Sequence, residues 1–208
     1  LGNDVAVGKK PVVVGGGNVA VDVAQVAKRL GAEKVTLICL ERREEMPAWE
    51  YEIAEALEDD IEIVNSLGPR NLYLDNSSNR ISGMEFKSCT QVFDADGRFS
   101  PEYDESVCQT FSADTVIMAI GQSADLEGIT YQGIAISRPG GLESDPVTLQ
   151  TPIDWVFAGG DAFYGPKSVV DAVACGKEVA ISIDRFINNL DLKEGREKVW
   201  EYVRPATE

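Results

Sequence analysis

"PVVVGGGNVAVDVAQVAKRLGAEKVTLICLE", residues 11–41, decides the fold. Pro11 to Val14 are too few for a useful helix and read as a short buried strand. From Asn18 the period changes. Val19, Val23, Val26, Ala27 and Leu30 share one face of a helix that Gly31 ends at its C′ position. "KVTLICL" (34–40) is a second buried strand, and strand, helix and strand together make the right-handed crossover that parallel sheets require. Between the first strand and the helix stand Gly15, Gly16, Gly17, Asn18, Val19 and Ala20, in the form G-x-G-x-x-A. The first glycine permits a tight turn, and the second lets backbone approach a diphosphate with no Cβ in the way. The small Ala20 lets helix and strand pack closely. The start of the helix adds free N–H groups and the positive end of its dipole. Glu41 follows at the end of the second strand, where a carboxylate can hold both hydroxyls of an adenosine ribose. Strand, glycines, helix and acid in this order read as a dinucleotide site.

Outward from this core the pattern stays α/β. "PAWEYEIAEALED" (47–59) is a helix opened by proline, with Trp49, Ile53, Ala56 and Leu57 together on one face. "IEIV" (61–64) is a third strand. The period then becomes two in "NLYLD", "RISGMEFKSC" and "QVFDADGRF", with turns at Asn76 to Asn79 and at Asp96-Gly97. This is an antiparallel meander inserted in an otherwise parallel sheet. "DADG" (94–97) lacks the later ligands of a calcium loop and reads as a hairpin turn. "DTVIMAIG" (114–121) returns to a buried strand ending in glycine. Further on come "GIAIS", a Pro/Gly turn at 139–141, and a strand, "WVFA" (155–158). A long helix from about Ser168 has Val169, Val173, Ala180, Ile183 and Ile187 as its buried face. A short helix over 194–202 carries Trp200 and Tyr202, and residues 1–10 read as a linker.

Composition narrows the function. Thirty-five acidic residues against nineteen Lys plus Arg give a net charge of -16, which repels phosphate backbones and, without a local basic patch, argues against nucleic acid as a partner. The charge reads as a solubility surface. No stretch is long and apolar enough to cross a membrane, and no basic segment followed by an apolar one opens the chain. Cys39, Cys89, Cys108 and Cys175 are far apart without a C-x-x-C, so no zinc or dithiol site is encoded locally. Three of them read as small buried hydrophobes, and a cytoplasmic location is expected. With no histidine, imidazole acid–base and Ser-His or Cys-His chemistry are excluded within this chain. The first residue is Leu rather than Met, so the chain is expected to begin inside a longer protein.

"KKPVVVGGGNVAVDVAQ", "REEMPA" (43–48), "DTVIMAIGQ" and "DWVFAGGDAFYGPKSVVDAVACGKEVAISID" resemble the small (beta) subunit of NADPH-dependent glutamate synthase. They equally resemble its relatives among the FAD-dependent pyridine nucleotide-disulfide-type oxidoreductases. The resemblance covers nearly the whole chain, with four motifs in the family's order. It implies a Rossmann-like NAD(P)H-binding domain, here 1–120, inserted into an FAD-binding domain whose C-terminal part would be 121–208. Ala119, Ile120 and Gly121 would mark the crossover between them. It further implies that Gly160 and Asp161 reach the flavin ribityl or diphosphate region. Ser168 and Val169 would aim helix N–H groups at the isoalloxazine ring, where a helix N-terminus stabilises reduced flavin. Read from residues alone, "FAGGD" is also a strand exit with Asp161 capping the next helix. The implied chemistry is hydride transfer from nicotinamide C4 to flavin N5. Electrons would then pass through iron–sulfur centres to an electron-accepting partner subunit, the large glutamate synthase subunit or another redox protein. Stacking and orientation carry such chemistry, so no catalytic residue is assigned. The missing C-x-x-C argues against a thioredoxin-reductase-like member.

Two departures from the family's pattern matter. No strand–glycine–helix for the ADP half of FAD precedes Pro11, and no cysteine-rich segment for iron–sulfur clusters is present. The chain is therefore expected to be the C-terminal portion of a larger protein, with the clusters outside it, and to retain FAD weakly or not at all by itself. Relatives often carry Tyr-Arg-Arg where this chain has Cys39-Leu40-Glu41. Glu41 would repel a 2′-phosphate and suit the bare hydroxyl of NADH, while Arg42 and Arg43 follow at once and could restore phosphate binding. NAD(H) is favoured over NADP(H). The competing reading is a non-catalytic dinucleotide-sensing or docking module that binds nucleotide and reduces nothing.

Overall fold

A computed structural model describes residues 5–130, 133–136 and 141–197. The chain divides into two compact units, Leu1–Gly121 and Gln122–Glu208.

In the first unit, β1 (Pro11–Val14), α1 (Asn18–Arg29) and β2 (Thr36–Ile38) form the expected crossover. A 3-10 turn at Arg43–Glu45 leads to α2 (Glu50–Glu58) and β3 (Glu62–Val64). Three long strands follow, β4 (Leu67–Leu74), β5 (Ile81–Phe93) and β6 (Phe99–Ser112), and then β7 (Thr115–Met118). The parallel sheet has the order β3-β2-β1-β7, with Val12 opposite Thr36 on one side and Val116 on the other. Both faces of β1 are buried, as in a covered parallel strand. Val13 joins Ala20, Val21, Leu37, Cys39 and Ile53 on the helix side. Val12 and Val14 join Ile38, Leu67, Met84 and Phe86 on the other, where Phe86 meets Phe111 edge to face at 5.7 Å.

The expected antiparallel meander is present between the parallel strands β3 and β7. β4, β5 and β6 make their own antiparallel sheet beside the parallel one. Their hairpins do turn at the expected places: Asp75 N donates to Arg80 O and Asp94 N to Arg98 O. Side-chain oxygens of Asp75 and Asp94 hold the turn amides. β5 runs on through both segments read as separate, and β6 adds a strand that sequence patterning does not reveal.

The helix faces also differ from expectation. α1 buries Ala20, Val21, Ala24, Gln25 and Ala27, whereas Val19, Val26 and Leu30 are exposed. The face that packs on the strands is mostly alanine, which brings the helix close, with Val21 the one fully buried valine, while Val19 and Val26 turn outward. On α2, Ile53 and Ala56 are buried, but Trp49 and Leu57 are exposed. β7 is an edge strand, half-buried with Met118 exposed, not the buried strand expected. Residues 5–10 are irregular yet tethered: Asp114 accepts from the amides of Lys9 and Lys10 at 2.7 and 3.0 Å.

The second unit contains α3 (Glu127–Thr130), α4 (Asp161–Tyr164) and α5 (Val169–Ile187), around a small cluster of Leu126, Ile134, Leu142 and Ala158. "WVFA" makes only an isolated bridge, Phe157 to Gln150, because it finds no continuous ladder to join. On α5 the face expected to be buried is the exposed one: Val169, Val173, Ile183 and Ile187 face outward, while Cys175 and Ser182 are buried. Of the helix expected over 194–202, Glu194 and Gly195 form a turn, and Trp200 and Tyr202 lie outside the described residues. So do Ser137 of "GIAIS" and Pro139 and Gly140 of the expected turn. Cys39, Cys89 and Cys175 are buried free thiols and Cys108 is partly exposed.

Asp145 anchors the end of this unit. Its carboxylate accepts from the amides of Val147 and Thr148 at 2.9 Å and pairs with Lys193 at 2.5 Å. Burial pushes its pKa up, but the hydrogen bonds from Lys193 and the two amides outweigh it and lower the value to about 2. A depressed carboxylate pKa stabilises the fold above the ordinary value of 3.8, and the contribution drains as pH falls through about 2. Urea unfolding of Asp145→Asn and the unsubstituted protein should therefore show a gap that is constant near neutrality and closes between those two pH values.

Candidate functional site

The C-terminal ends of β1, β2 and β7 meet at one place. The chain leaves β1 toward β2 on one side, while β7 adds on the other. In open α/β sheets such a reversal of strand order opens a crevice for ligands. The glycine loop lies there, and its shape is held by both neighbours. Gly15 N donates to Ile38 O at 2.9 Å, and Ala119 N to Val14 O at 2.8 Å. Gly15 has φ +142, and a Cβ there would stand 2.2 Å from Ala119 O. Only glycine fits. Gly17 is the N-cap of α1 without a side-chain cap bond. Ala20 is fully buried against the core, and Val19 is exposed. Ile120 and Gly121 continue past β7 as exposed residues beside this edge.

Glu41 sits directly above the loop. A Cβ on Gly16 would lie 2.6 Å from Glu41 Oε2 and 3.1 Å from Cys39 Cβ. The backbone of Glu41 is fixed by Ser66 N and Asn65 Nδ2, which both donate to its carbonyl at 3.1 Å. Beneath it, burial and then the negative charge of Glu41 push the Cys39 thiol up to about 12. A thiol so far from ionisation is packing, not a nucleophile. The two arginines diverge. Arg43 pairs with Glu50 at 2.6 Å, whereas Arg42 is exposed and lines a cavity of about 160 Å³ walled by Leu40, Glu45 and residues 89–93 of β5.

One feature of the loop has no signature in the glycine motif. Ala48 N donates to Gly16 O at 3.1 Å, and Trp49 N donates to Asn18 Oδ1 at 2.9 Å. The segment Met46–Trp49 thus braces the loop from the α2 side, and Asn18 is a strut of that brace. Asn65 was likewise hidden, because its role depends on β3 and β2 being neighbours. The quoted "REEMPA" was the nearest signal in the sequence.

The second unit holds the other expected residues. Gly160, at φ +58, leads into α4. Asp161 is the first residue of α4, exposed and without a capping bond. Ser168 caps α5: its Oγ accepts from Asp171 N at 3.2 Å, and its own N–H donates to Asp171 Oδ2 at 3.2 Å. The Ser168 amide is thereby engaged within the helix start, and Val169, 80% exposed, is the first helical residue.

Comparison with known proteins agrees with this architecture. The family model described as pyridine nucleotide-disulphide oxidoreductase matches residues 2–176. The beta subunit of NADP(+)-dependent formate dehydrogenase of Moorella thermoacetica is 38% identical over 184 residues, covering 86% of this chain and 25% of that protein. The beta subunit of NADPH-Fe(3+) oxidoreductase of Geobacter sulfurreducens is 34% identical over 90% of this chain and 31% of that protein. The small chain of NADPH glutamate synthase of Azospirillum brasilense is 33% identical over 87% of this chain and 38% of that protein. The chain therefore spans a quarter to two-fifths of the length of these relatives. Among solved structures, T. acidophilum thioredoxin reductase superposes with a TM-score of 0.67 at 19% identity, covering 87% of this chain and 53% of that one. Such a likeness speaks to the fold. With a family model matched over most of its length, the chain belongs to the pyridine nucleotide-disulphide oxidoreductases.

Proposed function

We propose that the first unit is the NAD(P)H-binding domain of a flavoprotein oxidoreductase, and that the second is part of its FAD-binding domain. The observation that carries this reading is the side-chain-free loop at the β1–β7 reversal with a carboxylate directly over it. Backbone amides at the start of α1 bind the diphosphate, and Glu41 takes the adenosine ribose hydroxyls. NADH is the preferred nucleotide, because Glu41 repels a 2′-phosphate and Arg43 is already paired with Glu50. The second reading, NADP(H), is favoured by the exposed Arg42 and by the names of the three relatives.

In the larger protein, Gly160, Asp161 and Val169 lie toward the flavin. Gly160 would keep side-chain bulk away from it, and the exposed Asp161 carboxylate would accept from its hydroxyls. FAD, when bound, supplies a hydride acceptor and splits the electron pair for onward single-electron transfer. Iron–sulfur centres outside these residues, and a partner subunit, would receive the electrons. The subunit names of the relatives support such a partner.

Fluorescence titration of both reduced nucleotides tests the site. NADH should bind about tenfold tighter than NADPH, the scale of one like-charge contact near a protein surface. Glu41→Gln should close most of that gap. Tighter NADPH binding would overturn the preference, and binding of neither would overturn the site.

A further inference from the structure

Resting on the nucleotide reading, we propose that Asn18 is a positioning residue that sets discrimination at the ribose end of the site without touching the ribose. An asparagine at a helix start ordinarily caps its own helix. Here Gly17 holds the N-cap place with no side-chain bond, and Asn18 Oδ1 instead accepts from the amide of Trp49, thirty-one residues away, at 2.9 Å. Trp49 is the N-cap of α2. The bond therefore joins the starts of two helices, and one residue earlier Ala48 N donates to Gly16 O at 3.1 Å.

The segment between Glu41 and Trp49 carries the groups that would tell a 2′-hydroxyl from a 2′-phosphate, and it is pinned at both ends. At one end Ser66 N and Asn65 Nδ2 hold Glu41 O. At the other end stand Gly16 and Asn18. In between, Glu45 N donates to Arg42 O at 3.0 Å and Arg42 N to Glu45 Oε2 at 3.3 Å, while Arg43 reaches forward to Glu50 at 2.6 Å. A segment so cross-tied passes a shift at Trp49 back to Arg42 and to the side chain of Glu41. The Ala48–Gly16 bond is main chain to main chain, which no ordinary side-chain substitution removes. Asn18 is thus the adjustable anchor, and it ties the diphosphate loop to the ribose-reading segment.

The test measures two quantities on the same samples, exchange of the Trp49 amide and the ratio of NADH to NADPH dissociation constants. Asn18→Ala should speed Trp49 amide exchange by about tenfold, the effect of losing one hydrogen bond. It should also move the ratio at least about threefold toward one. Asn18→Asp, which keeps an acceptor oxygen in place, should leave the ratio within about twofold. Trp49→Pro removes the donor from the other side, at a φ of -65 that proline adopts, and should reproduce the alanine result if Asn18→Ala does not fold. A residue that only supports the fold would weaken both nucleotides alike. An unmoved ratio in Asn18→Ala or Trp49→Pro therefore overturns the role of Asn18 while leaving the nucleotide site standing. Failure of the unsubstituted protein to bind either nucleotide overturns both.

Discussion

Gly15→Ala should unfold the first unit at markedly lower urea and abolish measurable nucleotide binding. The residue sits at φ +142, and a methyl group would stand 2.2 Å from the carbonyl oxygen of Ala119 and 2.8 Å from its carbon. Neither strand can retreat, because Gly15 is bonded to Ile38 and Ala119 to Val14. Backbone strain of about 1–3 kcal/mol adds to overpacking of about the same size, which is a large fraction of a domain's whole stability. Gly31→Ala is the matched control. Gly31 also has a positive φ, but nothing lies within 4 Å of its missing Cβ. That change should cost roughly 1 kcal/mol and leave nucleotide affinity alone. Urea unfolding and NADH titration on the two variants separate loop shape from general destabilisation.

Arg196→Ala should be the most damaging single change in the second unit. The side chain is 8% exposed and pairs with Glu178 at 2.9 Å. Its guanidinium also reaches Ser182 Oγ at 2.8 Å and the carbonyls of Val147, Glu178 and Leu192 at 3.1 Å. Deleting it leaves a carboxylate and several carbonyls without their donor, a loss of about 3–5 kcal/mol for a broken buried pair. Lysine keeps the charge but not the planar fork, so Arg196→Lys should recover less than half. Thermal unfolding, with hydrogen exchange read on the amides of α5, measures both. A melting temperature for Arg196→Ala close to that of the unsubstituted protein would contradict the structure.

The crossover, the glycine loop and the placement of Glu41 were legible because each is a local pattern, written in residues that touch through one helix and two short strands. Burial was less so. Amphipathicity says that a helix has an apolar face, not what covers it. On α1 the alanine side won because the helix lies close to the strands, and on α5 Cys175 and Ser182 turned inward instead of the valine and isoleucine stripe. β6 lacks a buried apolar stripe because its residues are largely exposed and polar. What makes it a strand is the turn at Asp94–Gly97, which folds it back on β5. The brace from Ala48 and Trp49 uses backbone atoms, which every residue has, so no sequence pattern announces it. Arg196 gave no signal either, since its partners come from three separate stretches.

The pairing of Pro11 with Thr115 carries a consequence for how the molecule comes into being. A sheet in which neighbouring strands are about a hundred residues apart in the chain cannot close early, since that much polymer must be brought round first. During synthesis the β1–α1–β2 crossover can gather as soon as it emerges, but the bond from Ala119 N to Val14 O beside its loop waits for β7. A nascent chain halted before Thr115 should hold the crossover, α2 and the strands up to β6, but Gly15 would still lack the Ala119 carbonyl that stands against it.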